Sequence, residues 1–182
     1  MITRLRALFK KQTAAIEPVD LNAAAREVIA LSLAELHRHG VAVRVDLAEG
    51  LPFVSGDRVQ LQQVILNLIL NALDAMSDVG DGQRQLVVRT ELDGRDKVLL
   101  SVQDSGLGLD TESASRIFDA FFTTKPGGMG IGLSVSRSII ESHQGRLWAR
   151  PNEKAGSTFA FSLPGSVTGT ASHSHEGIGS PN

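Results

Sequence analysis

No cysteine occurs in this chain, so disulfide frameworks, thiolate metal sites and thiol nucleophiles are excluded. Basic residues hold no surplus either. Eighteen Lys and Arg stand against 20 Asp and Glu, a net charge of −2, which argues against the basic footprint of bulk nucleic-acid binding. No apolar run approaches the roughly 18–20 residues needed to span a bilayer. The N-terminus also lacks the continuous apolar core of a secretory signal. What is present is ample material for a core: 182 residues, 42% of them hydrophobic, suit one ordinary globular domain.

The most informative stretch runs from Gln60 to Met76 without Gly or Pro. Leu61, Val64, Ile65, Leu68, Ala72 and Met76 recur at steps of three and four, which predicts a helix. Leu66, Ile69, Leu70 and Leu73 are apolar as well, so little of its circumference is left for water. One polar line, Gln60, Gln63, Asn67, Asn71 and Asp74, runs through this surface at the same spacing. Buried amides left unpaired cost about 1–3 kcal/mol, so the line needs partners. Two readings stand: an amide ladder bonded to a neighbouring strand, or a row in which Asn67 and Asn71 face a ligand. Carboxamide oxygens one turn apart suit a hard cation such as Mg2+ and its phosphates.

Taken in order, residues 1–16 carry Arg4, Arg6, Lys10 and Lys11 around Ile2, Leu5, Leu8 and Phe9, the pattern of a basic amphipathic helix. Docking on its own domain or a partner helix is one use of such a segment, and membrane-surface or organelle targeting the other. Pro18 breaks the chain. Asp20 is the expected N-cap of a helix from Leu21 to Arg38, with Gly40 as its C′ stop. Val41–Leu47 alternates as a strand, Phe53-Val54 is a short extended piece, and Gly56-Asp57 opens the central helix. Leu86–Leu92 and Lys97–Val102 read as strands joined through Asp93-Gly94. A helix from Ile131 to His143 ends at Gly145, followed by strands Leu147–Ala149 and Ser157–Leu163. Gly165–Asn182 has the composition of a disordered tail. The expected fold is α+β, a two-layer sandwich of a mixed sheet with helices on one face, rather than a doubly wound dinucleotide fold.

Two glycine clusters follow. Asp104-Ser105-Gly106-Leu107-Gly108 continues directly from a strand, which is either a plain turn or a site where backbone and carboxylate approach a flat or phosphorylated ligand. Gly127-Gly128-Met129-Gly130-Ile131-Gly132-Leu133 opens a helix, either as a hinge or as an anion site of free amides. No Gly-Lys-Ser/Thr closes it, so it is not a P-loop. Between the clusters, Leu109–Pro126 has the length of a lid. Phe118, Phe121 and Phe122 read mainly as packing residues, while Lys125 is either a solvated cation or a phosphate contact.

In their order, the Asn67–Asn71 helix, Asp104-x-Gly106-x-Gly108, Phe118–Lys125, Gly128-x-Gly130-x-Gly132-Leu133 and Gly156-Ser157-Thr158-Phe159 resemble the N, G1, F and G2 boxes and final strand of sensor histidine kinase ATP-binding domains. The wording around Asn71-Ala72-Leu73-Asp74-Ala75-Met76 is most similar to the oxygen- and nitrogen-sensing bacterial branch. The resemblance covers Pro18 to Leu163. It implies that the cofactors are ATP and Mg2+, with Asn71 as the metal ligand and Asn67 and Asp74 beside the nucleotide. It further implies that Asp104 bonds the adenine amine in a pocket lined by Gly106 and Gly108. Gly128, Gly130, Gly132 and Leu133 would hold the phosphates with Lys125 in the lid, and Thr158 would sit at the base of the adenine pocket.

In ATPase relatives a glutamate on the central helix activates water. The resemblance puts Asn67 there instead, which is no base, so the expected reaction is phosphoryl transfer to an imidazole rather than hydrolysis. The five histidines, His37, His39, His143, His173 and His175, all lack the acceptor context of the family. The chain thus resembles a catalytic half. Residues 1–17 would be a stub or linker from a dimerisation region, 18–164 the catalytic domain and 165–182 a tail. The expected partners are a histidine-bearing dimerisation domain, in cis or in trans, and a response-regulator receiver, in a cytoplasmic setting. A non-catalytic nucleotide-binding regulatory module and an anti-sigma-type serine kinase are the competing readings.

Overall fold

The structure is a computed structural model that describes residues 16–80, 83–110, 116–119 and 131–166. Strand β1 (Glu17–Val19) precedes helix α1 (Leu21–Arg38), then β2 (Ala42–Leu47) and β3 (Val54–Gly56). The central helix α2 (Arg58–Ala75) is followed by β4 (Gln85–Asp93) and β5 (Lys97–Asp104), then α3 (Gly132–Ser142), β6 (Arg146–Pro151) and β7 (Ser157–Pro164). Five strands form one sheet in the order β2-β4-β5-β7-β6, with β2 and β4 parallel and the other pairs antiparallel. A separate ribbon pairs β1 with β3. Pro18 therefore does not break the chain but lies within this ribbon, where a residue without an amide proton is tolerated on an edge.

One face of the sheet carries Leu86, Val88, Val98, Leu100, Val102, Phe159, Phe161 and Leu163, all buried beneath the helices. The expected sandwich with helices on one face is what forms. Helix α2 lies at its centre, between α1 and α3 and over β5. Its apolar stripe (Leu61, Val64, Ile65, Leu68, Ala72 and Met76) is at most 1% exposed, and Leu66, Ile69, Leu70 and Leu73 are buried too.

Local chemistry sets the helix ends. Asp20 Oδ1 accepts from Ala23 N at 3.0 Å, and Asp57 Oδ1 accepts from Val59 N and Gln60 N at 2.8 and 3.1 Å. Gly40 stops α1 with a φ of +65°. At the end of α3 the left-handed residue is Gln144 (φ 59°), not Gly145. Gly145 has a different duty. A Cβ there would lie 2.5 Å from the Ser162 carbonyl oxygen and 2.6 Å from Leu163 Cδ2, so it lets the chain pass close to β7. Beyond β7, Gly165 N donates to Asp96 O and Ser166 N to Phe53 O, both at 2.6 Å. Gly165 and Ser166, the first two residues of the segment expected as tail, are thus bonded to the domain; residues 1–15 and 167–182, with His173 and His175, lie outside the described residues.

His143 joins the end of α3 to the start of α2. Its Nε2 accepts from the Asp57 amide at 3.0 Å, so Nδ1 carries the proton and donates to Ile139 O at 2.7 Å. The ring lies where a Cβ on Gly56 would be, 2.5 Å from Cδ2. His143→Ala is therefore expected to destabilise the domain by about 2 kcal/mol in urea unfolding, through the orphaned Asp57 amide and the cavity. Gly56→Ala should also destabilise, but much less in the His143→Ala background, where the ring no longer blocks the methyl. Equal costs in both backgrounds would count against this clamp.

Candidate functional site

The polar line of α2 divides along its length. Gln62, which the periodicity leaves off the line, is buried and donates to Glu27 Oε2 at 2.7 Å, while Arg58 reaches Glu27 Oε1 at 2.7 Å. These bonds fasten α2 to α1. On the line itself, Asn67 is 7% exposed, and its Nδ2 donates to Ser136 Oγ at 3.2 Å and to Gly132 O at 3.4 Å. Asn67 thus ties α2 to the first turn of α3, a helical partner where the ladder reading expected a strand. One turn further on, Asn71 is half-buried, and its Nδ2 is buried with no hydrogen-bond partner among the described residues. Asp74, another turn on, is exposed.

The first glycine cluster meets the far end of the same helix. Asp104, the last residue of β5, is 2% exposed. Its Oδ1 accepts from Gly106 N at 2.8 Å and from Ser157 N at 3.3 Å, and Oδ2 is buried as well. Leu107 N donates to Ala75 O at 3.2 Å. A Cβ on Gly106 would lie 2.5 Å from that carbonyl oxygen, and one on Gly156 would lie 2.0 Å from the Asp104 carbonyl oxygen. Gly108 adopts a φ of +84° against Gly156. The bare main chain at Gly106 and Gly156 is thus needed first for chain crossings that put the Asp104 carboxylate in place.

The second cluster contributes the start of α3. Gly132 is its first residue, and the preceding N-cap, Ile131, makes no side-chain cap bond. Among the described residues no side chain caps its first-turn amides, an arrangement that favours anions. Leu133 is partly buried and packs against the core. Phe118 is buried and meets Phe159 edge-on at 6.4 Å, which makes it a packing residue as its type suggested. Phe121, Phe122, Lys125, Gly128 and Gly130 lie outside the described residues.

Thr158 is not where the resemblance put it. In β7, Phe159 and Phe161 face the helices, so Thr158 points to the opposite side, where its Oγ1 donates to Asn152 Oδ1 at 2.7 Å. There it borders a shallow groove with Trp148, Arg150 and Gln103. Strand alternation gives the reason: neighbours in sequence lie on opposite faces. The residue that shares Asp104's side is Ser157, 3% exposed, which the sequence reading passed over. The two-residue period counted back from Phe159 would have found it.

Along α2, then, the start of α3 meets Asn67, Asn71 follows, and the Asp104 loop meets Ala75. Eight residues of helix, at about 1.5 Å each, separate the two ends by about 12 Å. An anion-favouring end, a carboxamide and a buried carboxylate in that sequence can hold an elongated ligand with a charged end and a flat, amine-bearing end.

Residues 56–167 match the family of histidine kinase-, DNA gyrase B- and HSP90-like ATPases. The chain is 42% identical over 164 residues to the sensor protein FixL of Bradyrhizobium diazoefficiens, covering 90% of this chain and 32% of that protein. It therefore spans about a third of the length of that curated relative. Among solved structures, the nucleotide-free catalytic domain of the histidine kinase ThkA superposes with a TM-score of 0.73 at 33% identity, covering 83% of this chain and 96% of that one. ThkA bound to the response regulator TrrA gives 0.72 at 29% identity, over 91% of this chain and 46% of that one. With the helix row and the buried aspartate in the matching order, the chain belongs to the histidine kinase-, DNA gyrase B- and HSP90-like ATPases and is of the histidine kinase catalytic-domain type.

Proposed function

We propose that this domain binds ATP with Mg2+ along α2 and transfers the γ-phosphoryl group to a histidine on a dimerisation domain, from which a response-regulator receiver is then phosphorylated. One observation carries the reading. Asn67, bonded to the start of α3, Asn71, with its unmatched amide, and Ala75, bonded to the loop after Asp104, recur every four residues along one buried helix. Asp104 is the acceptor for the adenine amine. The first amides of α3, with Gly128, Gly130 and Lys125 upstream, serve the phosphates.

The residues present fit a magnesium nucleotide. The Asn71 carboxamide has a buried nitrogen unmatched among the described residues, and a carboxamide supplies both a hard oxygen for Mg2+ and donors for phosphate oxygens. Bound Mg2+ neutralises charge on the phosphates. Asn71 orients that end of the ligand, and Asp104 fixes the base. Asn67 has no basic group to activate water, and its amide is committed to Ser136 and Gly132. This favours transfer to a supplied nucleophile over hydrolysis. The relatives' identity as sensor kinases, and the ThkA–TrrA pairing, support the dimerisation-domain and receiver partners.

Incubation with γ-labelled ATP and a separately supplied dimerisation domain from a FixL-like kinase is expected to label that partner's histidine in an acid-labile form. Label stable to acid would instead indicate a serine kinase, and nucleotide binding with no phosphoprotein under any pairing a regulatory module. By calorimetry, Asp104→Asn should lose about 10- to 100-fold in ATP affinity, since a charge-assisted bond is worth roughly 1.5–3 kcal/mol. The fold should survive, because Oδ1 remains an acceptor for Gly106 N and Ser157 N. Asn71→Ala is expected to remove most of the difference between ATP affinity with Mg2+ and with EDTA. Its melting temperature should stay close to that of the parent, because the amide nitrogen it deletes makes no bond among the described residues.

A further inference from the structure

We infer that Asn152 is a positioning residue for Asp104 and thereby sets the preference of the site for adenine; the inference rests on the reading of Asp104 as the adenine acceptor. Asn152 stands just after β6, at the start of the turn that leads to β7. Its side-chain amide is fully engaged. Nδ2 donates to the Asp104 carbonyl at 2.9 Å and to Ala155 O at 3.0 Å, while Oδ1 accepts from Thr158 Oγ1 at 2.7 Å. Its main-chain amide closes the turn on Gly156 O at 3.0 Å.

The turn so closed lies directly on Asp104. Gly156 is pressed to the Asp104 carbonyl so tightly that a Cβ would sit 2.0 Å from it. The next residue, Ser157, donates its amide to Asp104 Oδ1 at 3.3 Å. Asn152 therefore holds the main chain of Asp104 directly. It also holds the carboxylate at one remove, through the position of Gly156-Ser157. Thr158, facing the other side of the sheet, acts on the site only by orienting the Asn152 amide.

The consequence is selective. A carboxylate held in one place accepts from the adenine amine and repels the carbonyl oxygen that guanine carries at the same position. A carboxylate free to swing discriminates less. The contacts of Asn67, Asn71 and α3 lie at the other end of the site and are untouched.

The test is calorimetric titration of the whole chain with Mg2+–ATP and Mg2+–GTP. Asn152→Ala is expected to lower ATP affinity by about tenfold and to reduce the ATP:GTP preference by a similar factor, as loss of one or two hydrogen bonds allows. In the Asp104→Asn background the same substitution should cost nothing further, because the adenine contact is already lost. A purely structural asparagine would weaken both nucleotides alike, and in both backgrounds; that result overturns the inference. Thr158→Val, which keeps the side-chain size, should lower the ATP:GTP preference about threefold in the same direction. If Asn152→Ala does not fold, a wild-type preference in folded Thr158→Val overturns the inference by itself. A parent chain that binds neither nucleotide would sink the nucleotide reading, whereas a parent preferring ATP beside variants that keep that preference defeats only the role of Asn152.

Discussion

The hydrogen bonds from Asn67 to the first turn of α3 are the contact on which the site depends. A helix as thoroughly buried as α2 has few places for a polar side chain, and each must be matched. Ser136, itself fully buried, accepts the Asn67 amide and donates to Gly132 O at 2.9 Å. The match fixes the distance and rotation between the two helices. It also holds the start of α3 one helical turn from Asn71 along α2.

A second constraint acts at the other end of α2. Three segments cross there: the helix end at Ala75, the loop after β5 and the turn before β7. Side chains at Gly106 or Gly156 would collide with main chain, at 2.5 Å and 2.0 Å. Close crossing is what buries Asp104 beneath two amide donors, and burial makes a carboxylate a demanding acceptor. Packing and ligand recognition are therefore met by the same residues. Gly106 serves the chain directly and a ligand indirectly.

His143 shows the opposite case, a chemically versatile residue used wholly for structure. Its two ring nitrogens are occupied by the Ile139 carbonyl and the Asp57 amide, so it braces the N-terminus of α2 against the C-terminus of α3. The sequence assigned it only to the end of a helix, which is correct. The bond to Asp57, 86 positions away, has no local signature.

The chain by itself determined the three described helices, the aspartates that open α1 and α2, the six-residue buried stripe of α2 and the succession of motifs that marks the family, because all of these are periodic or local. It also placed Asn67, Asn71 and Asp104 as the residues to watch. Only the tertiary structure decided that Asn67 braces α3 while the Asn71 amide stays unmatched among the described residues. It likewise made Pro18 part of a ribbon with β3. Each of those outcomes turns on which segment lies across from which. That is set by packing between residues far apart in sequence, where neither helical nor strand periodicity carries information.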